Sequence, residues 1–262
     1  MESKKVVISL SGGLDSTMLL MYYLAKGFEV KAYSFNYGQK HTIELELVQK
    51  NVRYLKAMGF NIEHQIIDLR DCFSDSVSAL HENGGEIPHE RYDGESQKST
   101  VVEQRNVIFS SIIFGKALSW SKRTDSDVII SLGIHANDTS TYPDTTPESF
   151  EAARHLFKIS NWGSERVDYE APFQYLKKDE VLRAGMDAMN YLEFDDDDKG
   201  YILKHTHSCY DPDKEGRSCG LCGTCQERIA CFALNDMIDP IEYNLTGEQL
   251  DELYLKYKQQ GL

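Results

Sequence analysis

The strongest constraint on this chain lies in its first turn. A largely apolar run over residues 6–10 leads into Ser11-Gly12-Gly13-Leu14-Asp15-Ser16 and then into a second apolar stretch ending at Ala25. A strand that enters a Gly-Gly turn and continues as a helix gathers unpaired backbone N–H groups and the positive end of a helix dipole at one point. Such a point binds anions, phosphate being the usual occupant. The glycines let the main chain approach with no Cβ in the way, and Asp15 or Ser16 is expected to cap the helix. The same residues would also serve as an ordinary tight connection; the flanking serines, and an acid before the second of them, favour the anion site. No Gly-Lys-Ser/Thr follows, so the lysine-bearing loop that cradles a γ-phosphate is excluded.

Downstream, residues 29–37 alternate and are rich in β-formers, residues 41–58 have a helical spacing of apolar positions, and residues 61–69 read as a third strand. This β-α-β-α-β order is that of a parallel sheet covered by helices. Regularity fades over residues 70–100, where His81-Glu82-Asn83-Gly84-Gly85 and Asp93-Gly94-Glu95-Ser96 supply turn residues; an excursion or lid, mobile when the site is empty, is expected. A buried helix over 107–120, a fourth strand over 127–132 and a loop over 133–147 come next. A helix over 147–158, an extended segment over 167–173 and a helix over 177–189 follow. The acidic run 195–198 reads as a solvated loop, and Thr246-Gly247-Glu248-Gln249 as a capping box that starts a last helix. In open parallel sheets ligands lie beyond the carboxyl ends of the strands, so residues 11–16, 37–41 and 135–144 should converge.

The chain has 262 residues, room for one α/β domain with an appended module. The expected division is a nucleotide-binding domain over 1–190 and a metal-binding, helical region over 191–262. Acidic residues outnumber basic ones 42 to 28, a formal net charge of −14, which repels phosphate backbones and argues against a nucleic-acid substrate. No apolar run is long enough to span a bilayer and no signal peptide is evident, so a cytoplasmic setting is expected.

Four of the six cysteines crowd into one stretch as Cys209, Cys219, Cys222 and Cys225. In a reducing compartment this spacing reads as metal ligation, by zinc in a closed structural site; an iron–sulfur cluster uses the same donors, and redox use is a third reading. Gly220 and Gly223 would supply tight turns, and Arg228 would offset thiolate charge. His205 and His207 lie nearby, though four cysteines make them unnecessary as ligands. Cys72 and Cys231 are expected to be packing residues.

The Ser-Gly-Gly-x-Asp-Ser turn resembles the pyrophosphate loop of the PP-loop ATP pyrophosphatases, which make adenylates. Joined to the four cysteines it resembles the QueC family, the 7-cyano-7-deazaguanine synthases, over most of the chain. The matching stretches are Ser11 to Ser16, Tyr37-Gly38-Gln39-Lys40-His41, Arg105-Asn106, Tyr142-Pro143-Asp144, Lys178, Cys209-Tyr210 and Ser218-Cys219-Gly220-x-Cys222-Gly223-x-Cys225-x-x-Arg228. The chain departs from the family pattern at Glu103-Gln104, where Pro-x is usual, and at Thr141 and Thr145, where Gly and Cys are usual.

The resemblance implies a doubly wound parallel sheet of the adenine nucleotide α hydrolase kind with a zinc-bearing C-terminal region, in a homodimer. It implies adenylation of 7-carboxy-7-deazaguanine by ATP, attack by ammonia to give the amide, and a second adenylation leaving the nitrile. Ser11, Gly12, Gly13, Leu14, Asp15, Ser16 and Gln39 would hold the nucleotide, with Mg²⁺ sharing its charge at Asp15. Asp15, His41, Arg105 and Lys178 would act on the phosphates, while Asn106, Asp138, Tyr142 and Asp144 would face the base. Each has a plainer reading: Arg105-Asn106 and His41 as helix starts, Lys178 as a solvated lysine, Asp138 and Asp144 as turn residues. Alternative outcomes are an enzyme that stops at the amide, one that conjugates the activated deazaguanine to a partner protein, and an idle nucleotide-binding subunit. A tRNA-modifying enzyme is disfavoured by the acidic balance.

Overall fold

The computed structural model describes residues 4–89, 95–140 and 142–260; Asp93-Gly94 of the expected excursion and Thr141 lie outside them. Five strands, β1 (Lys5–Ser9), β2 (Glu29–Asn36), β3 (Ile62–Asp68), β4 (Val128–Ser131) and β5 (Val167–Glu170), form one sheet in the order β3-β2-β1-β4-β5. Every neighbouring pair is parallel. The order reverses between β1 and β4, and the crevice at that switch point is where a doubly wound sheet binds its ligand.

β1 shows why both faces are covered. Val6 and Ile8 join one buried cluster and Val7 joins the other, as the two-residue period of a strand requires. Against the first face pack α1 (Leu14–Ala25), α2 (Ile43–Ala57) and α5 (Lys178–Tyr191). The other carries α3 (Arg105–Thr124) and α4 (Pro147–Ile159). Ile202 and Leu203 of α6 (Asp196–Lys204) and Cys231 and Phe232 of α7 (Gly223–Leu234) share the first cluster with α1. A final helix, α8 (Gly247–Gln260), starts at the expected capping box, with Thr246 and Gln249 exchanging bonds of 2.9 and 3.2 Å.

The start of α1 departs from expectation. Its N-cap is Gly13 and no side chain caps it. Leu14, Met18, Leu19, Leu20 and Met21 are each fully buried. At about 1.5–3 kcal/mol per such side chain, packing far outweighs the roughly 1 kcal/mol that a cap supplies. The helix therefore holds without closing its amino end.

Three other expectations are corrected. Residues 195–198 are the start of α6, with Asp195 accepting from Asp198 N–H at 2.8 Å and Asp198 from Asp195 N–H at 3.1 Å; acids are favoured where the dipole is positive. Cys72 is exposed, whereas Cys231 is buried as expected. Among the described residues, 70–89 are fastened to the β2–α2 loop: Lys40 N–H donates to Leu80 O (3.0 Å) and Glu82 N–H to Gly38 O (2.7 Å). Leu80 and His81 are buried there, so this part of the excursion is a packed wall.

Where α5 crosses α1, a Cβ on Gly185 would stand 2.8 Å from Met18 Cβ and overlap the rest of that side chain. Gly185→Ala is expected to cost about 1–3 kcal/mol by overpacking, measured by urea denaturation; an unchanged midpoint would contradict the close approach.

Candidate active site

At the carboxyl ends of β1 and β4 a pocket is lined by Ser11, Gly13, Asp15, Ser16, His41, Arg105, Asn106, Asp138, Tyr142 and Lys178, all marked from sequence. The three segments expected to converge do so. Four further marked residues stand behind this surface. Leu14 is fully buried in the core, and Gly12 lies where a Cβ would meet Glu44 O at 2.5 Å with φ at +95°. Gln39 is buried and spans Tyr37 N–H, Phe35 O and the Glu44 carboxyl. Asp144 is turned onto Asn106, accepting its backbone N–H and its Nδ2, each at 3.2 Å. It thereby closes the start of α3, where Gln104 adopts a left-handed φ of 54°.

The turn itself brings two serine hydroxyls to the amino end of α1. Ser11 Oγ and Ser16 Oγ lie 3.0 Å apart and Gly13 N–H donates to Ser11 Oγ at 3.2 Å, while the α1 amino end carries no side-chain cap. Serine hydroxyls beside an uncapped helix end fit a phosphate.

Beside the turn lies a cluster of opposite charges. Lys178 Nζ stands 3.2 Å from Asp15 Oδ2 and 2.9 Å from Glu227 Oε2. His135 Nε2 is 3.6 Å from both Asp15 Oδ2 and Asp138 Oδ1. Burial works against the charge on His135, yet the carboxylates of Asp138 and Asp15 push it up to about 9, so it is cationic at neutral pH. Burial also opposes ionisation of Asp15, but Lys178 and His135 hold its carboxyl well below the usual range. Asp15 Oδ1 is buried with no hydrogen-bond partner, which fits it to a cation such as Mg²⁺.

The opposite wall is built from β2 and α2. Arg105 Nη1 donates to Tyr37 Oη at 3.3 Å. His41 Nε2 and Glu44 Oε2 are 3.7 Å apart, a distance that suggests an ion pair. It is not one. Burial, with His207 and Arg105 nearby, drives His41 down to about 3. Burial raises Glu44 to about 8 against the pull of Gln39 and Arg105, so both partners are neutral at pH 7. Phe35 stacks on Phe109 at 4.0 Å, and both line the pocket, giving it an aromatic floor. Tyr142 Oη lies 3.0 Å from Thr100 Oγ1 and 3.2 Å from Tyr210 Oη, joining three segments at its rim.

The four cysteine sulfurs lie within 4.8 Å of one another, and Cys219 Sγ and Cys225 Sγ are 3.8 Å apart. Tetrahedral bonds of about 2.3 Å place thiolates about 3.8 Å apart, so the set fits a single tetrahedral ion. Arg228 does not serve the thiolates. Its guanidinium forks onto Asp239 at 2.6 and 2.9 Å, and both residues are buried. Backbone donors do that work: Cys219 N–H reaches Cys209 Sγ at 3.2 Å and Cys222 N–H reaches Cys219 Sγ at 3.3 Å. The four-cysteine region touches the Ser11–Ser16 turn directly, since His207 N–H donates to Gly12 O at 2.9 Å.

Glu44, Glu227 and His135 went unmarked in the sequence. One signal existed for Glu44: it sits on the stripe of Val48, Val52 and Leu55, an acid among apolar positions.

Comparison with known proteins is consistent over nearly the whole chain. The family model described as "Queuosine biosynthesis protein QueC" matches residues 5–236. The 7-cyano-7-deazaguanine synthase of Marinomonas sp. is 35% identical over 242 residues, covering 92% of this chain and 99% of its own. The protein of that name from Geobacter sulfurreducens is 36% identical over 255 residues, covering 95% and 97%. Among the described residues, no helix is long and apolar enough to cross a membrane.

The raised carboxyl of Glu44 has a consequence for stability. The unfolded chain releases this proton near 4.5 and the folded one near 8, so the group's contribution is most favourable below about 4.5 and is lost as pH rises to about 8. Glu44→Gln removes that loss. Its stability relative to wild type should climb across this window in urea titrations at successive pH values, and a flat difference would contradict the buried neutral carboxyl.

Proposed function

The chain belongs to the QueC family, and from that premise we propose that it is an ATP-dependent carbon–nitrogen ligase converting 7-carboxy-7-deazaguanine and ammonia to 7-cyano-7-deazaguanine. The observation that carries this reading is the uncapped turn Ser11–Ser16 beside the Asp15–Lys178 pair in the β1/β4 crevice. A carboxylate resists ammonia because oxide is a poor leaving group; joining its oxygen to AMP supplies a good one. The protein's task is then positioning and charge neutralisation.

In this reading Ser11, Gly13 and Ser16 grip the pyrophosphate portion of ATP, with Gly12, Leu14 and Gln39 supporting the turn and the facing loop from behind. Asp15, through its unpartnered Oδ1, would hold Mg²⁺, which would supply positive charge against the pyrophosphate. Lys178 and Arg105 face the phosphates from the two walls and stabilise charge as the α–β bond breaks. His41, held neutral, lines the same wall without adding charge. Asp138 accepts from the donor edge of the base, Tyr142 closes the rim, and the Phe35–Phe109 floor receives a planar ring. Asn106 and Asp144 hold the start of α3, which carries Arg105. Cys209, Cys219, Cys222 and Cys225 would hold zinc, which would fix the segment that carries His207 and Tyr210. The chain works as a homodimer in the cytoplasm on a small-molecule substrate. A second reading, in which the enzyme stops at the amide or hands the activated base to a partner protein, is favoured by the residues at Glu103 and Thr145, where the chain departs from the family pattern.

Incubation with 7-carboxy-7-deazaguanine, ammonium and Mg²⁺-ATP should yield AMP and pyrophosphate together with the nitrile by mass spectrometry. Formation of ADP, or no nucleotide cleavage, would overturn the proposal; amide or a protein adduct in place of nitrile would select the second reading.

A further inference from the structure

Four carboxyl groups line the pocket: Asp15, Glu44, Asp138 and Glu227. Lys178 and His135 stand within 4 Å of three of them. Glu44 differs: among the described residues its one ionisable side-chain partner within that range is the neutral imidazole of His41, with Arg105 acting on it from further off. Gln39 fixes it in place: Gln39 Nε2 donates to Glu44 Oε1 at 3.0 Å and to Phe35 O at 3.1 Å, while its Oε1 accepts from Tyr37 N–H at 2.9 Å. The other oxygen, Oε2, makes no hydrogen bond among the described residues and stands 3.7 Å from His41 Nε2. From below, the backbone of Glu44 abuts Gly12 of the phosphate turn. A rigidly held carboxyl with one free oxygen therefore sits beside the place where phosphates and acyl group meet.

Ammonia reaches an enzyme at neutral pH mostly as ammonium, which has no lone pair to attack with. Resting on the function proposed above, we propose that Glu44 forms an ammonium site and is the base that frees the nucleophile. Ammonium docks on Oε2 of the ionised form, which is in equilibrium with the acid close to neutrality, and gives it one proton, leaving ammonia and the neutral carboxylic acid. The nitrogen lone pair then forms a bond to the acyl carbon, the bond from that carbon to the phosphate oxygen breaks, and AMP departs with the electron pair. The surplus proton on the new amide nitrogen passes to solvent. Neutral His41 adds no repulsion toward ammonium to that of Arg105, the permanent cation on this wall. A carboxyl whose proton is held near 8 is also matched to proton transfer close to neutrality.

Hydroxylamine supplies the test, since it is uncharged at neutral pH and needs no base before it attacks. The readout is the ratio of hydroxamate to ammonium-derived product, measured by mass spectrometry on wild type, Glu44→Gln and Glu44→Asp. The Gln variant should raise this ratio by roughly a hundredfold, in line with general-base contributions. The Asp variant, which keeps an ionisable carboxyl one methylene further back, should fall between it and wild type and serves if the Gln variant does not fold. Ratios equal to wild type would overturn the role of Glu44. Should wild type form no pyrophosphate from ATP and 7-carboxy-7-deazaguanine with either nucleophile, the function itself falls and the ammonium site with it.

Discussion

The site depends on one buried ammonium. Lys178, in the first turn of α5, reaches Asp15 in the first turn of α1 and Glu227 in α7, so a single side chain joins the three helices whose amino ends surround the phosphate turn. Breaking such a buried pair by removing one partner typically costs about 3–5 kcal/mol. The network does more than stabilise. It keeps Asp15 ionised in a place where burial alone would neutralise it. It also leaves one oxygen of Asp15 unpartnered. Charge is thereby stored in fixed positions before any ligand arrives, which is how a preorganised site lowers a barrier.

The C-terminal region is tied into this arrangement at two points. Glu227 is two residues past Cys225, and His207, two residues before Cys209, hydrogen-bonds the phosphate turn through its main chain. A closed four-thiolate site has no open position for substrate. An ion held there would fix both segments, and with them the walls that carry Glu227, His207 and Tyr210. The pocket consequently has two electrical characters: paired, ionised groups along α1, α5 and the β4 loop, and neutral His41 and Glu44 beside Arg105 on the α2 side. Phosphate chemistry suits the first and proton handling the second.

Much of this was legible in the residues. The glycine turn, the apolar run of β1 and the cysteine spacing are local patterns with local causes, and the structure reproduces them. What stayed hidden depends on distant contacts. Nothing near Gly13 signals that α1 will forgo a side-chain cap, because the helix is stabilised by burial against the sheet and α5 rather than at its end. Asp144 reads as a loop acid until the fold brings Asn106 to it across 38 residues. Arg228, placed beside four cysteines, reads as their counter-charge until Asp239 is seen to claim it. Glu44 is the instructive case: helical periodicity marks it as buried, but only the tertiary arrangement reveals that its partner is neutral.

The central claim is that the turn from Ser11 to Ser16 holds the phosphates of ATP. A crystal structure with a nonhydrolysable α,β-methylene analogue of ATP and Mg²⁺ tests it most directly. The account places the β- and γ-phosphates against the α1 amino end and the Ser11 and Ser16 hydroxyls, with those two hydroxyls drawn apart from their present 3.0 Å contact. Phosphates bound elsewhere, with that contact intact, would contradict it.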